Sequence, residues 1–421
     1  MAKDKNRNLD LEYNNWLKTE EITPSIGTDE LYEIVSKELA FLRSLTVEEY
    51  TLLRKWREIH RDYPGEVGIE NDVLSSFFGG DANTKRKKEY PELQKLKSRL
   101  WMPESPDDYM KLEPVMVLTN DKNVNIWNTV RTFTSTMLNN SNIGRNMFYL
   151  IIDNVTGKYL GVICISSDFM DLTPRDKFIG WSRQIKTNQH MINHTAIGST
   201  IVPTQPLGYS YVGGKLLALL TISDIVEKDW KEKYGDVLAG VTTTSLYGSF
   251  SQYQNLKYWN KRGHSAGSVR YEPAKPILAK MLEWMKSNHT RKYWEYYVAT
   301  LPSGMPLLRD HRQRSMMFIY GKLGFKKEEI ASAHQRGIYF CHLYNNTCEF
   351  LRKEITEDKL VKRFDNKVYS LVNIWKEQYA GKRVKSLLEQ NRYSKETLWY
   401  SDIIYKNWEQ CQETYTKQVG R

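Results

Sequence analysis

The sequence predicts an α/β protein: a mixed sheet flanked by helices, with helical extensions at both ends. Three observations carry this. Between residues 113 and 350, β-branched apolar runs alternate with runs of helical period, as in α/β domains. Within that region MFYLIID and YLGVICISSD flank an Asp-Asn-Val-Thr-Gly turn, a hairpin signal that places antiparallel strands in the sheet. Outside it, TDELYEIVSKELAFLRSL and the Lys-, Tyr- and Trp-rich stretch after Leu351 read as helices.

Taken in order, residues 1–27 form a polar arm, and Thr28 opens the first helix. Thr46 and Glu49 have capping-box spacing for a second, TVEEYTLLRKWREIHRDY, so the pair reads as a helical hairpin. A polar, glycine-bearing link leads to Lys85-Arg86-Lys87-Lys88, either a solvated helix face or a phosphate-contact patch. Pro91 starts a short helix, and the prolines of MPESPDDYMKLEP mark a linker. PVMVLTN then reads as a strand, NVNIWNTVRTFTSTML as a helix, and the hairpin follows. FIGWSRQIKTNQHMIN is helical, TAIGSTIVPT a strand, and YVGGKLLALLTISDIVEKDWKEKYG one long amphipathic helix. VLAGVTTTSLY is a strand, and QYQNLKYWNKRG a short helix capped by Gly263. KPILAKMLEWMKSN and RSMMFIYGKLGFKKEE are helical, the latter ending at Gly324, and GIYFCHLYNN returns as a strand. The expected organisation is a helical extension over 1–112, an α/β core over 113–350 and a basic helical extension over 351–421.

At 421 residues, with 40% apolar and 26% charged residues, the composition is that of a soluble globular protein. No run approaches the ~18 apolar residues of a membrane span, and MAKDKNRNLDLEYNNW lacks the apolar region of a secretory signal. The four cysteines, Cys164, Cys341, Cys348 and Cys411, match neither a zinc nor a disulfide spacing, so free thiols in a reducing cytoplasm are expected. The net charge of +11, with 27 Tyr and 12 Trp, favours a polyanionic partner such as nucleic acid. The helical extensions are the candidate surfaces for protein partners.

Four constellations are candidates for chemistry. The strand–turn–helix around Gln205, Gly208, Gly213 and Gly214, ahead of Leu216-Leu217, has the elements of a pyrophosphate cradle: bare N–H groups and a helix N-terminus. The same glycines equally serve close helix–sheet packing. Tyr320 in YGKLGF resembles the Tyr-x-x-Leu-Gly-Phe of GNAT domains, which implies a general acid there, and Tyr258 in YWNKRG is its rival for the same role. His264, in RGHSAG, reads as a general base, a phosphate contact or a surface histidine, with Lys261 and Arg262 beside it. His190 and His194 share a helix spacing but lack the intervening Glu of a metal motif, so no metal is expected. Arg175, Asp176 and Trp181 in PRDKFIGWS suit an anionic or planar substrate, or else an internal pair with a buried anchor.

These residues carry a resemblance. LGVICISSDFMDLTPRDKFIGWS resembles the core signature of the DruA-like domain of Druantia anti-phage systems, with its Ser-Ser strand end, Arg-Asp and Ile-Gly-Trp. LLALLTISDIVEKDW, KYGDVLAGVTTTSLY and the region from Tyr258-Trp259 to Gly263 follow in order, so the resemblance spans about 115–345. The chain has Thr243-Thr244-Ser245 where the family tends to Glu-Thr-Phe before an acidic residue, and Tyr258-Trp259 where it tends to Asn-Trp. Such domains are similar in turn to phage Mom DNA-modification proteins and to GNAT acyltransferases. The resemblance implies a GNAT-like sheet, work on or near nucleic acid in phage–host conflict, and an acyl-CoA cofactor held at the glycine turn. The leading expectation is an acyltransferase-type enzyme that modifies nucleic acid. Beside it stand a non-catalytic nucleic-acid-binding protein on the same scaffold and a phage structural protein.

Overall fold

The computed structural model describes residues 8–134, apart from 47–48 and most of 51–97, then 144–245, 252–393 apart from 303, 305–306 and 309–310, and Glu413. The basic run at 85–88, the start of the helix at Pro91 and Cys411 lie outside the described residues.

The helices used below are α1 (Leu9–Thr19), α2 (Thr28–Ser44), α3 (Val124–Thr134), α4 (Thr173–Ile179), α5 (Gly213–Leu220), α6 (Asp224–Tyr234), α7 (Lys275–Asn288), α8 (His311–Lys322), α9 (Val368–Trp375) and α10 (Gly381–Glu389). The strands are β1 (Pro114–Leu118), β2 (Asn146–Asp153), β3 (Tyr159–Ser167), β4 (Thr195–Pro203), β5 (Gly240–Ser245), β6 (Asn260–Arg270) and β7 (Ala331–His342). They form one sheet in the order β1-β2-β3-β4-β5-β7-β6. The first four strands run antiparallel, β5 pairs with β4 in parallel, and β7 pairs with β5 antiparallel. The mixed α/β sheet with flanking helices expected from the sequence is therefore present.

Chain contacts divide the protein into two units. One comprises 1–50 with 268–333, the other 51–267 with 334–421. In the first, α2 buries Leu31, Val35, Leu39 and Leu42 along one face, and α7 meets it where Trp284 Nε1 donates to Thr28 Oγ1 (3.2 Å). The Thr46–Glu49 capping box is formed in both directions, at 2.8 and 3.2 Å.

The second unit holds β1 to β5. Residues alternate across a strand, so β3 serves two cores. Ile163 and Ile165 join α5 and α9 on one face, while Val162 and Cys164 join α3 on the other. Burial on both faces explains why β3 reads as an unbroken apolar run. Trp127 of α3 anchors one layer by donating to Ile163 O (3.1 Å), and Trp375 of α9 anchors the other by donating to Tyr211 O (3.0 Å).

Three expected elements differ. The helix expected from Phe178 to Asn193 stops at Gly180, which is left-handed (φ 79°). Short turns over Gln184–Asn188 and Met191–His194 follow, so His190 and His194 share no helix face. The long helix after Val212 is two, α5 and α6. Thr221 Oγ1 turns back to Ala218 O (2.7 Å), and Asn366 O receives Asp224 N (3.0 Å). The short helix expected before Gly263 is a set of turns with Tyr258 left-handed (φ 72°). Gly263 lies inside β6 at φ 136°.

Candidate functional site

The sheet changes direction at β4 and β5, which pair only over Thr195–Ile197 and Gly240–Thr242. A β-bulge in β4 at Ser199 follows at once, and among the described residues no backbone pairing joins the two strands beyond it. Such a switch point is where open α/β sheets receive ligands. Here the chain fills it itself. Gln252 Nε2 donates to Ile201 O of β4 (3.3 Å) and to Tyr253 Oη (2.9 Å). Tyr253 is buried against Thr243 of β5. Thr243 Oγ1 closes the gap below by donating to Gly198 O (3.2 Å).

The glycine turn leads from β4 into α5. A Cβ on Gly213 would stand 2.6 Å from Leu207 Cγ, one on Gly208 2.8 Å from Gln205 Nε2, and one on Gly214 would overlap Gln252 Oε1. Gln205 Oε1 receives Tyr209 N within the turn (3.0 Å). Lys215 Nζ donates to the carbonyls of Gln252 and Gln254 (3.1 and 2.5 Å), and burial pulls it down to about 8. Each of the four expected cradle residues thus meets the chain's own atoms.

Arg175, Asp176 and Trp181 do come together, inside the protein. Arg175 is fully buried. It pairs with Asp168 and with Asp176, each at 2.6 Å. It also donates to Phe169 O (2.8 Å) and lies over the Trp181 ring (5.3 Å). Thr242 of β5 donates to Asp168 (2.7 Å), and Lys186 bridges Asp176 and Asp171. Burial works against the Arg175 charge, but the two carboxylates outweigh it and hold the proton more tightly. Trp181 Nε1 donates to Leu351 O (2.7 Å). The network ties the end of β3 to α4 and β5.

A different cluster is cationic and lacks carboxylates. Tyr258 stacks on Phe364 (centroids 3.8 Å apart, 6° between planes), and its carbonyl receives Arg363 Nη1 (3.4 Å). The same Nη1 lies 3.2 Å from His342 O and 3.3 Å from His342 Nδ1. Arg262 sits on the Phe178 face at 3.4 Å, and Phe178 lies 5.9 Å from His342. Arg262 Nε is buried without a hydrogen-bond partner. Burial, then Arg363 and Arg262, pull His342 down to about 4. Among the described residues no carboxylate forms an ion pair with Arg262 or Arg363. The neighbouring Glu227 is engaged by Lys362 and Asn366.

The remaining expected residues fall elsewhere. Lys261 and His264 are exposed on β6. Tyr320 belongs to the other unit, where its buried hydroxyl donates to Tyr271 O (3.3 Å). Cys164, Cys341 and Cys348 are free thiols; burial raises all three, Cys341 to about 12. Among the described residues no group of three His, Cys, Asp or Glu could hold a metal, and no helix is long and apolar enough to cross a membrane. Sequence reasoning passed over Gln252, His342 and Arg363. Only the Arg363-Phe364 pair carries a signal, that of a cation next to an aromatic ring.

Comparison with known proteins gives a family match. A family model described as Druantia protein DruA matches residues 80–353. A curated Druantia protein DruA from Escherichia coli (strain UMEA 4076-1) is 24% identical over 229 residues, covering 50% of this chain and 54% of that protein. The chain thus spans about half the length of the curated relative it matches. No solved structure matches.

Proposed function

The chain belongs to the DruA family, and from that premise we propose that it is a nucleic-acid-binding component of an anti-phage defence system, built on a GNAT-like scaffold. The filled β4–β5 junction carries the choice of binding over acyl transfer. Gln252 and Tyr253 stand where the strands part, and Gln252 lies against Gly214. The glycines therefore serve packing, and the net charge of +11 supplies the attraction to a polyanion.

An acyltransferase acting on nucleic acid is the second reading. What favours it is the β4–β5 pair itself, a parallel junction at a switch point of the sheet, followed by a helix N-terminus. In that reading residues 252–254 move aside to admit acyl-CoA.

Two titrations of the purified chain decide between them. With saturating acetyl-CoA, a site present in the native state stabilises by roughly 2.7 kcal/mol at 100 times the dissociation constant. The binding reading expects no shift in melting temperature, and a clear shift would replace it with the transferase. With a DNA oligonucleotide, affinity should fall steeply as salt rises, through counterion release. Affinity indifferent to salt would overturn the nucleic-acid assignment.

A further inference from the structure

We propose that Arg262, Arg363 and His342 form a phosphate-binding site, with Phe178 as the platform that holds Arg262 in place. The inference rests on the nucleic-acid reading above and deepens it by locating the contact. The three side chains come from β6, from the segment after β7 and from the end of β7, all within one unit. Nothing in their local sequence requires them to meet.

Their arrangement costs the free protein stability. Two guanidinium groups and an imidazole converge with no carboxylate paired to them. Arg262 is held below its usual range by burial, and Arg363 adds to the effect. A buried donor without an acceptor destabilises the folded protein, and Arg262 Nε is such a donor. Of the Arg363 donors, only Nη1 bonds within the protein among the described residues, to carbonyls and the imidazole. An oxyanion answers all of these at once. A guanidinium fork matches two phosphate oxygens, and such charge-assisted bonds are about twice as strong as neutral ones. Phe178 covers one face of Arg262 and so fixes the plane of the fork. Arg262, His342 and Arg363 are all half-buried rather than sealed, which leaves room for approach.

The contrast with Arg175 sharpens the point. That arginine is more deeply buried, yet it has Asp168 and Asp176. Arg262 and Arg363 are left for a charge from outside. A phosphodiester of nucleic acid and the phosphate of a free nucleotide share this chemistry, and the test separates them.

The experiment is calorimetric titration of the full chain with a short DNA oligonucleotide and, separately, with inorganic pyrophosphate. It is done on the wild type, Arg262→Gln, Arg363→Gln and the control Lys228→Gln, whose partner Glu232 is on the surface. Each arginine variant should weaken oligonucleotide binding about tenfold and lower the salt slope by about one. The control should bind like the wild type. If only pyrophosphate binding is lost in the variants, the site stands with a free nucleotide as its source. In that case DNA binding, if present, lies elsewhere. If the wild type binds DNA and the variants match it for both probes, the site is overturned while the nucleic-acid reading survives. If the wild type binds neither probe, the site is overturned. Should the variants fail to fold, phenylglyoxal labelling of the native chain takes their place. Protection of Arg262 and Arg363 by either probe supports the site, and unchanged labelling by both overturns it.

Discussion

Gln252 lies against Gly214, its side-chain oxygen in the place a Cβ would occupy. This contact joins the segment after β5 to the start of α5. A methyl group on Gly214 has nowhere to go unless Gln252 leaves Ile201 O and the Tyr253 hydroxyl. Gly214→Ala should therefore destabilise the protein by about 1–3 kcal/mol, the usual cost of overpacking. Gln252→Ala in the same chain should recover part of that loss. Urea unfolding of the two single variants and the double variant measures it. Additive effects would show that the two residues do not meet.

Arg175 offers a harsher test of the buried network. Removing it leaves Asp168 desolvated beside Thr242, with its counter-charge gone. Breaking a buried pair from one side costs about 3–5 kcal/mol. Arg175→Met should lower stability by that order, and Arg175→Lys should rescue little, since an ammonium cannot span Asp168, Asp176 and Phe169 O together. Thermal unfolding decides it. A loss confined to ligand binding, at unchanged stability, would return Arg175 to the substrate surface.

The order of strands and helices from β1 to β5 was legible because burial on one or two faces leaves periodic or continuous apolar runs. The Thr46–Glu49 cap was legible because it is a local pairing. Gly180 and the Thr221–Ser223 break were not, since the apolar period runs on through both while Asn366, far along the chain, settles the second. β6 was misjudged because Tyr-Trp-Asn-Lys-Arg-Gly has neither alternation nor β-branched residues. The site suffered most. PRDKFIGWS reads the same whether its arginine faces water or Asp168. Arg262, His342 and Arg363 are 80 and 21 residues apart in turn, and only the sheet brings them together.

Tyr320 tests whether a general acid resides in the YGKLGF motif. Its hydroxyl donates to Tyr271 O at the side of a buried aromatic group, and burial makes its proton harder to lose. Tyr320→Phe should cost about 1 kcal/mol, one neutral hydrogen bond, and leave DNA affinity unchanged. Melting curves and an oligonucleotide titration read both. Loss of ligand binding or of a catalysed reaction at unchanged stability would assign Tyr320 to a site.

His342 sets an expected pH dependence. Its ordinary value of 6.5 falls to about 4 in the folded chain, through burial first and then Arg363 and Arg262. Between those two values the unfolded chain binds a proton that the folded chain refuses. By linkage, stability then rises with pH. The contribution is complete above pH 6.5 and is lost progressively as pH falls towards 4. The full ~1.4 kcal/mol per unit is reduced by solvent screening, because the ring is only half-buried. His342→Gln keeps a polar side chain but removes the titration, so it should flatten the stability profile across this window. Chemical unfolding at several pH values, wild type against variant, gives the difference directly. Parallel profiles would mean that His342 takes up its proton in the folded state, and that the two arginines beside it are already balanced by negative charge.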